Sequence, residues 1–111
     1  MATFPLTPEV LDLVAERVRA LGEPARLRIL DALRGGERTV GELMEATGLG
    51  QANLSRHLQL LHGLRYVDRR KEGLYVFYRL ASDDVFRLCD TMCGRLEREA
   101  EERSRMLERS A

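Results

Sequence analysis

Residues 40–80, VGELMEATGLGQANLSRHLQLLHGLRYVDRRKEGLYVFYRL, hold two short apolar-periodic segments split by Thr47-Gly48-Leu49-Gly50 and followed by an arginine-rich pair of strand-like runs. In the first segment Val40, Leu43 and Met44 fall on one face of a short helix. In the second, over about residues 51–62, Leu54, Leu58 and Leu61 do the same. Glycine at the turn permits backbone angles closed to other residues. Residues 66–71 and 74–80 then bring Tyr66, Val67, Leu74, Val76, Phe77 and Tyr78 to two strands around a Glu72-Gly73 turn. Two helices, a tight turn and a hairpin, in that order, describe a winged helix-turn-helix, whose second helix can enter a major groove while the hairpin flanks it. Double-stranded DNA is the first partner to expect.

Outward from this stretch, Pro8 precedes EVLDLVAERVRAL, where Val10, Leu11, Val14, Val18 and Leu21 recur at helical spacing. Gly22 stops that helix. Pro24 can open the next, since proline at the first helical position loses no internal hydrogen bond. Leu27, Leu30 and Leu33 mark its buried stripe, which ends at Gly35-Gly36. Beyond the hairpin, Ser82 is a candidate N-cap for a last helix, with Asp83 and Asp84 at its positive end. The expected fold is mainly α with a small β-hairpin (α+β), in the order ααααββα. It forms one domain, 1–111, in which 96–111 is a charged helical extension. In that extension Arg98 and Glu102, Glu99 and Arg103, and Glu101 and Arg105 stand at i, i+4 spacing.

The chain has 111 residues and 44% hydrophobic content, enough for one modest core, and no tryptophan. Short chains bury a smaller share of their surface, which favours a partner subunit. Formal net charge is zero, yet residues 51–80 carry six basic groups against Asp68 and Glu72 and hold +4, leaving −4 for the rest. A basic centre between acidic ends localises phosphate attraction to one face. No run approaches the roughly 20 apolar residues of a membrane span, and no secretory leader is evident, so a cytoplasmic protein is expected.

A reading helix needs short polar side chains for base edges, with cations around them for phosphates. Gln51, Asn53, Ser55, Arg56 and Gln59 meet that need. Gln51 or Asn53 can pair with adenine, and Arg56 can take guanine or a phosphate. On an isolated helix such residues would more often only solvate an exposed face. The turn before them and Arg69, Arg70 and Lys71 after them favour the DNA role. His57, between the buried and outer faces, is open to hydrogen bonding, phosphate contact or simple packing.

LGEPARLRIL at 21–30, GEL at 41–43, GLGQANLSRHLQLL at 48–61 and the YVDRRKEGLYVFYRL hairpin together resemble the ArsR/SmtB family, over residues 10 to about 95. The resemblance implies a bacterial winged-helix repressor, a homodimer that binds a two-fold operator and is released by an inducer, pairing through its first and last helices. Two positions depart from the family pattern. Gly50 stands where a serine N-cap is frequent, and Arg65 where a helix-ending glycine is common.

Metal-binding relatives often carry Cys-x-Cys at the third helix, or Asp and His along the last. Here Thr39-Val40-Gly41 fills the first location, and no histidine follows His62. The chain's two cysteines, Cys89 and Cys93, stand at i, i+4 on a face with Val85, Leu88, Met92 and Leu96. Two such pairs across a dimer suit zinc or cadmium, whereas trivalent arsenic takes three thiolates. Packing as small hydrophobes and thiol oxidation or persulfide chemistry are the alternatives. An enzyme is not expected: no nucleophile has a base and oxyanion partner in view, and no phosphate-binding glycine loop occurs. The rival classes are a thiol redox protein, for which the cysteines lack a turn-to-helix setting, and a winged helix used only for protein contacts.

Overall fold

Thr7 is extended, its Oγ1 accepts the N–H of Val10 at 3.3 Å, and Pro8 sits in the first turn, so helix α1 runs Pro8–Leu21. The computed structural model describes residues 5–110; residues 1–4 and 111, the ends of the expected single domain, lie outside the described residues. The elements that follow are α2 (Pro24–Ala32), β1 (Arg38–Thr39), α3 (Val40–Thr47), α4 (Gln51–Gly63), β2 (Val67–Glu72), β3 (Tyr75–Leu80) and α5 (Asp84–Ser110). They fall into two compact units that divide between Ala81 and Ser82.

In the first unit α2 packs against α1, α3 and α4. Ile29, Leu30, Leu33, Leu43, Leu54, Leu58, Leu61 and Val67 are fully buried there. The α4 stripe is the one its spacing predicts. The α2 stripe differs: Leu27 is 38% exposed and Ile29 is buried instead. A short helix with neighbours on several sides buries adjacent residues, which a single-face periodicity does not describe.

The hairpin is part of a three-stranded antiparallel sheet in the order β1-β3-β2. Arg38 and Thr39 pair with Tyr78 and Phe77. This first strand has no sequence signal, because two residues carry no period and the partner lies far along the chain. The hairpin turn is Gly73-Leu74, one residue later than expected, with Glu72 opposite Tyr75. Gly73 has φ 60°, and positive φ at the first central position alone is the requirement of a II′-type turn.

Thr39 ends β1 and also starts α3. Its Oγ1 accepts the N–H of Glu42 while the Glu42 carboxylate accepts the N–H of Thr39, a reciprocal cap. The Thr39 N–H, and then the Thr39 side chain, hold the Glu42 carboxyl below its usual range by hydrogen bonding to it. Gly48, at φ 73°, closes α3, and Gly50 opens α4 without a side-chain cap.

The end of α4 is a Schellman motif: Arg65 N–H donates to His62 O and Tyr66 N–H to Leu61 O. Arg65 sits at the left-handed position with φ 65°, the only non-glycine residue with positive φ among those described. Arg17 of α1 donates from Nη1 to the Leu64 carbonyl at 2.8 Å, covering another terminal oxygen of α4.

In the second unit α5 begins at Asp84 rather than Ser82, and the Ser82 hydroxyl accepts the Asp84 N–H. Val85 is its buried residue. Ion pairs along it include Arg87 with Asp83 and Arg95 with Glu99. The three expected farther along are not within pairing distance, because long exposed side chains gain little from being held.

Arg65 lacks the conformational freedom that its backbone angle asks for. Arg65→Gly should raise stability by about 1 kcal/mol, read as a higher denaturant midpoint at unchanged slope. A lowered midpoint would show that the side chain matters more than the strain.

Candidate nucleic-acid interface

Burial of Leu54, Leu58 and Leu61 decides which side of α4 faces outward. Gln51, Ala52, Arg56 and Gln59 are exposed, and Asn53, Ser55 and His57 are half-buried along the margins. Arg56 donates from Nη2 to Asn53 Oδ1 at 2.7 Å, so one cation and one amide form a unit whose amide N–H groups remain to donate outward. The helix presents the polar side chains expected of it.

His57 is tied to α2, a partner that local sequence did not announce. Arg26 donates from Nη1 to Ala20 O at 2.9 Å, at the end of α1, and from Nε to His57 Nδ1 at 3.3 Å. Burial, then the charge of Arg26, lowers the His57 pKa below its ordinary value. With Nδ1 accepting, the ring is the neutral tautomer that carries its proton on Nε2. His57 is therefore a donor and not a cation.

On the hairpin, alternation places Arg69 and Lys71 on the face of Val67, Val76 and Tyr78. Arg70 falls on the opposite face with Phe77. Arg69 and Lys71 have no carboxylate within ion-pair distance among the described residues. With Arg70 and Val76 they line a depression of about 340 Å³. Arg70 donates to Glu37 at 2.8 and 2.6 Å and to Glu72. The hydrogen bonds to Glu37 and then Glu72 raise the Arg70 pKa, and the same Arg70 bond lowers that of Glu37. Of the three basic residues, Arg70 alone is held by carboxylates.

Cys89 is half-buried and Cys93 exposed, both as thiols on α5. Among the described residues no three His, Cys, Asp or Glu side chains gather into a metal-holding group. No helix among them is long and apolar enough to cross a membrane.

This arrangement has close counterparts. Residues 23–69 match the family described as bacterial regulatory protein, arsR family. The crystal structure of Rv0081 from Mycobacterium tuberculosis superposes with a TM-score of 0.78 at 34% identity, covering 87% of this chain and 98% of that one. The chain belongs to the ArsR family of bacterial regulatory proteins. Such proteins are transcriptional regulators and not enzymes. The transcriptional repressor SmtB of M. tuberculosis is 41% identical over 81 residues, 71% of this chain. A homodimeric winged helix-turn-helix DNA-binding domain, Mb0332 of Mycobacterium bovis, has a TM-score of 0.70 at 37% identity, covering 87% of this chain and 91% of that one. The ArsR-family chain spans 60% of SmtB's length.

His57 makes stability depend on pH. The unfolded histidine takes a proton near its ordinary value of about 6.5 while the folded one resists it, so stability is full above that value and falls as pH drops toward the folded pKa. His57→Gln should reduce the loss of unfolding free energy as pH falls below about 6.5. An unchanged pH profile in urea titrations would contradict this.

Proposed function

We propose that the chain is a DNA-binding transcriptional repressor that works as a homodimer on a two-fold operator and is released by an inducer. The observation that carries this reading is α4, anchored on one side by three buried leucines and lined on the other by Gln51, Asn53, Ser55, Arg56 and Gln59. In this reading α4 enters the major groove, where Gln51 or Asn53 pairs with adenine and Arg56 takes guanine or a phosphate. His57 donates its Nε2 proton to the backbone, and Arg69 and Lys71 meet phosphates beside the groove. The DNA-binding, homodimeric description of Mb0332 supports both partners.

Dimerisation through α1 and α5 is part of the same proposal. Leu11, Val14 and Val18 on α1, and Leu88, Met92 and Leu96 on α5, are about half or more exposed in the single chain. Each row would lie against a second copy. Two α4 helices then reach successive major grooves, and an inducer that binds one spacing better than the other shifts the dimer between them.

For the signal, the proposed residues are Cys89 and Cys93. One chain offers two thiols a turn apart on α5, so a four-thiolate zinc or cadmium site would need both protomers. Thiol oxidation is the competing chemistry on the same residues. Metal titration with thiol counting separates the two, and operator affinity unchanged by metal and oxidant alike would leave Cys89 and Cys93 as packing residues.

Genome-wide DNA capture should recover an inverted-repeat operator. Affinity for it should fall steeply with salt, and Arg56→Ala should weaken it. Arg69→Ala and Lys71→Ala should each lower the salt slope by about one. Salt-independent binding, or no binding to duplex DNA, would remove the DNA reading.

A further inference from the structure

Arg70 stands in the middle of a basic run, yet its surroundings are not those of a phosphate ligand. All three guanidinium nitrogens already donate to carboxylates: Nε and Nη2 to Glu37, Nη1 to Glu72. One cation between two anions leaves the cluster net negative. A phosphate would have to displace a carboxylate that holds Arg70 in a bidentate fork.

The register shows what the fork spans. Arg70 on β2 is opposite Phe77 on β3, and Phe77 is opposite Thr39 on β1. The guanidinium lies 4.4 Å from the Phe77 ring centroid and reaches Glu37, two residues before Thr39. It crosses the whole sheet. Cation–π contact beneath and a bidentate carboxylate at the far side fix its direction, which a lone exposed ion pair would not do. β1 leads directly into α3 through the Thr39 cap, so a brace from β2 to Glu37 ties the hairpin to the helix-turn-helix frame.

We propose that Arg70 is the positioning residue of the hairpin, a brace across β1, β3 and β2 that sets its pitch and leaves Arg69 and Lys71 to contact phosphate. This role rests on the DNA reading above. It assigns Glu37 a part as well: an anion near the DNA whose removal weakens binding, against the sign that simple electrostatics gives.

The test is a salt titration of the full chain on the captured operator and on a short mixed-sequence duplex, for Arg70→Gln, Arg70→Lys, Glu37→Gln and Arg69→Ala. Arg69→Ala should lower the salt slope by about one. Arg70→Gln and Glu37→Gln should keep the slope, each weaken operator binding by about threefold, and combine to less than the product of their separate effects. Arg70→Lys keeps the charge but loses the fork, and should not restore affinity. A lower slope in Arg70→Gln, tighter binding by Glu37→Gln or full activity of Arg70→Lys would overturn the brace while leaving the DNA reading intact. Loss of salt-dependent DNA binding in the unsubstituted chain would overturn the DNA reading, and the brace with it. Denaturant midpoints identify any variant that fails to fold; if Arg70→Gln does, Glu37→Gln carries the same decision.

Discussion

Everything outward on α4 depends on the exclusion of water from its inner stripe. Leu54, Leu58 and Leu61 are each fully buried, together with Ile29 and Leu30 from α2, Leu33 just after it, and Leu43 from α3. Burying a leucine fully contributes about 1.5–3 kcal/mol, so rotating α4 to bring its polar face inward would lose several such contributions and bury amides without partners as well. The core therefore acts as the orienting device for Gln51, Asn53, Arg56 and Gln59. Their chemistry can vary at small cost to the fold, since none of them supports it from within.

A second layer of organisation comes from arginines that close the ends of helices. Arg17 reaches the Leu64 carbonyl after α4, Arg26 the Ala20 carbonyl in α1, and Arg38 the Ala32 carbonyl at the end of α2. Each satisfies an oxygen that has no partner inside its helix, and each brings positive charge to a negative helix end. A count of basic residues consequently overstates the charge offered to a nucleic acid. Arg70 extends the same habit from helix ends to a sheet. Arg69 and Lys71, by contrast, meet none of the protein's carboxylates within ion-pair distance among the described residues.

The helices and the α4 stripe were legible because their signals are local: leucines at helical spacing, glycines at the turns, prolines at the starts. The polar face of α4 was legible for the same reason, as the complement of its stripe. What escaped notice was paired over distance. β1 is two residues joined to a strand far along the chain, and Arg26 with His57, like Glu37 with Arg70, meets its partner 31 to 33 residues away. Alternation sets Arg70 on the opposite face of β2 from Arg69 and Lys71, which their adjacency in the sequence does not convey. The hairpin turn shifted by one residue because Gly73 alone supplies the positive angle, at the first central position rather than the second.

Thr39 belongs to two elements at once, as the last residue of β1 and the N-cap of α3. A slip of β1 by one register would turn its side chains to the other face of the sheet and carry the cap out of reach of Glu42. The hairpin and the helix-turn-helix are thus joined at a residue that neither can give up separately. Opening the β1–β3 pairing at Thr39 would therefore loosen the first turn of α3 as well, coupling the edge of the sheet to the helix-turn-helix.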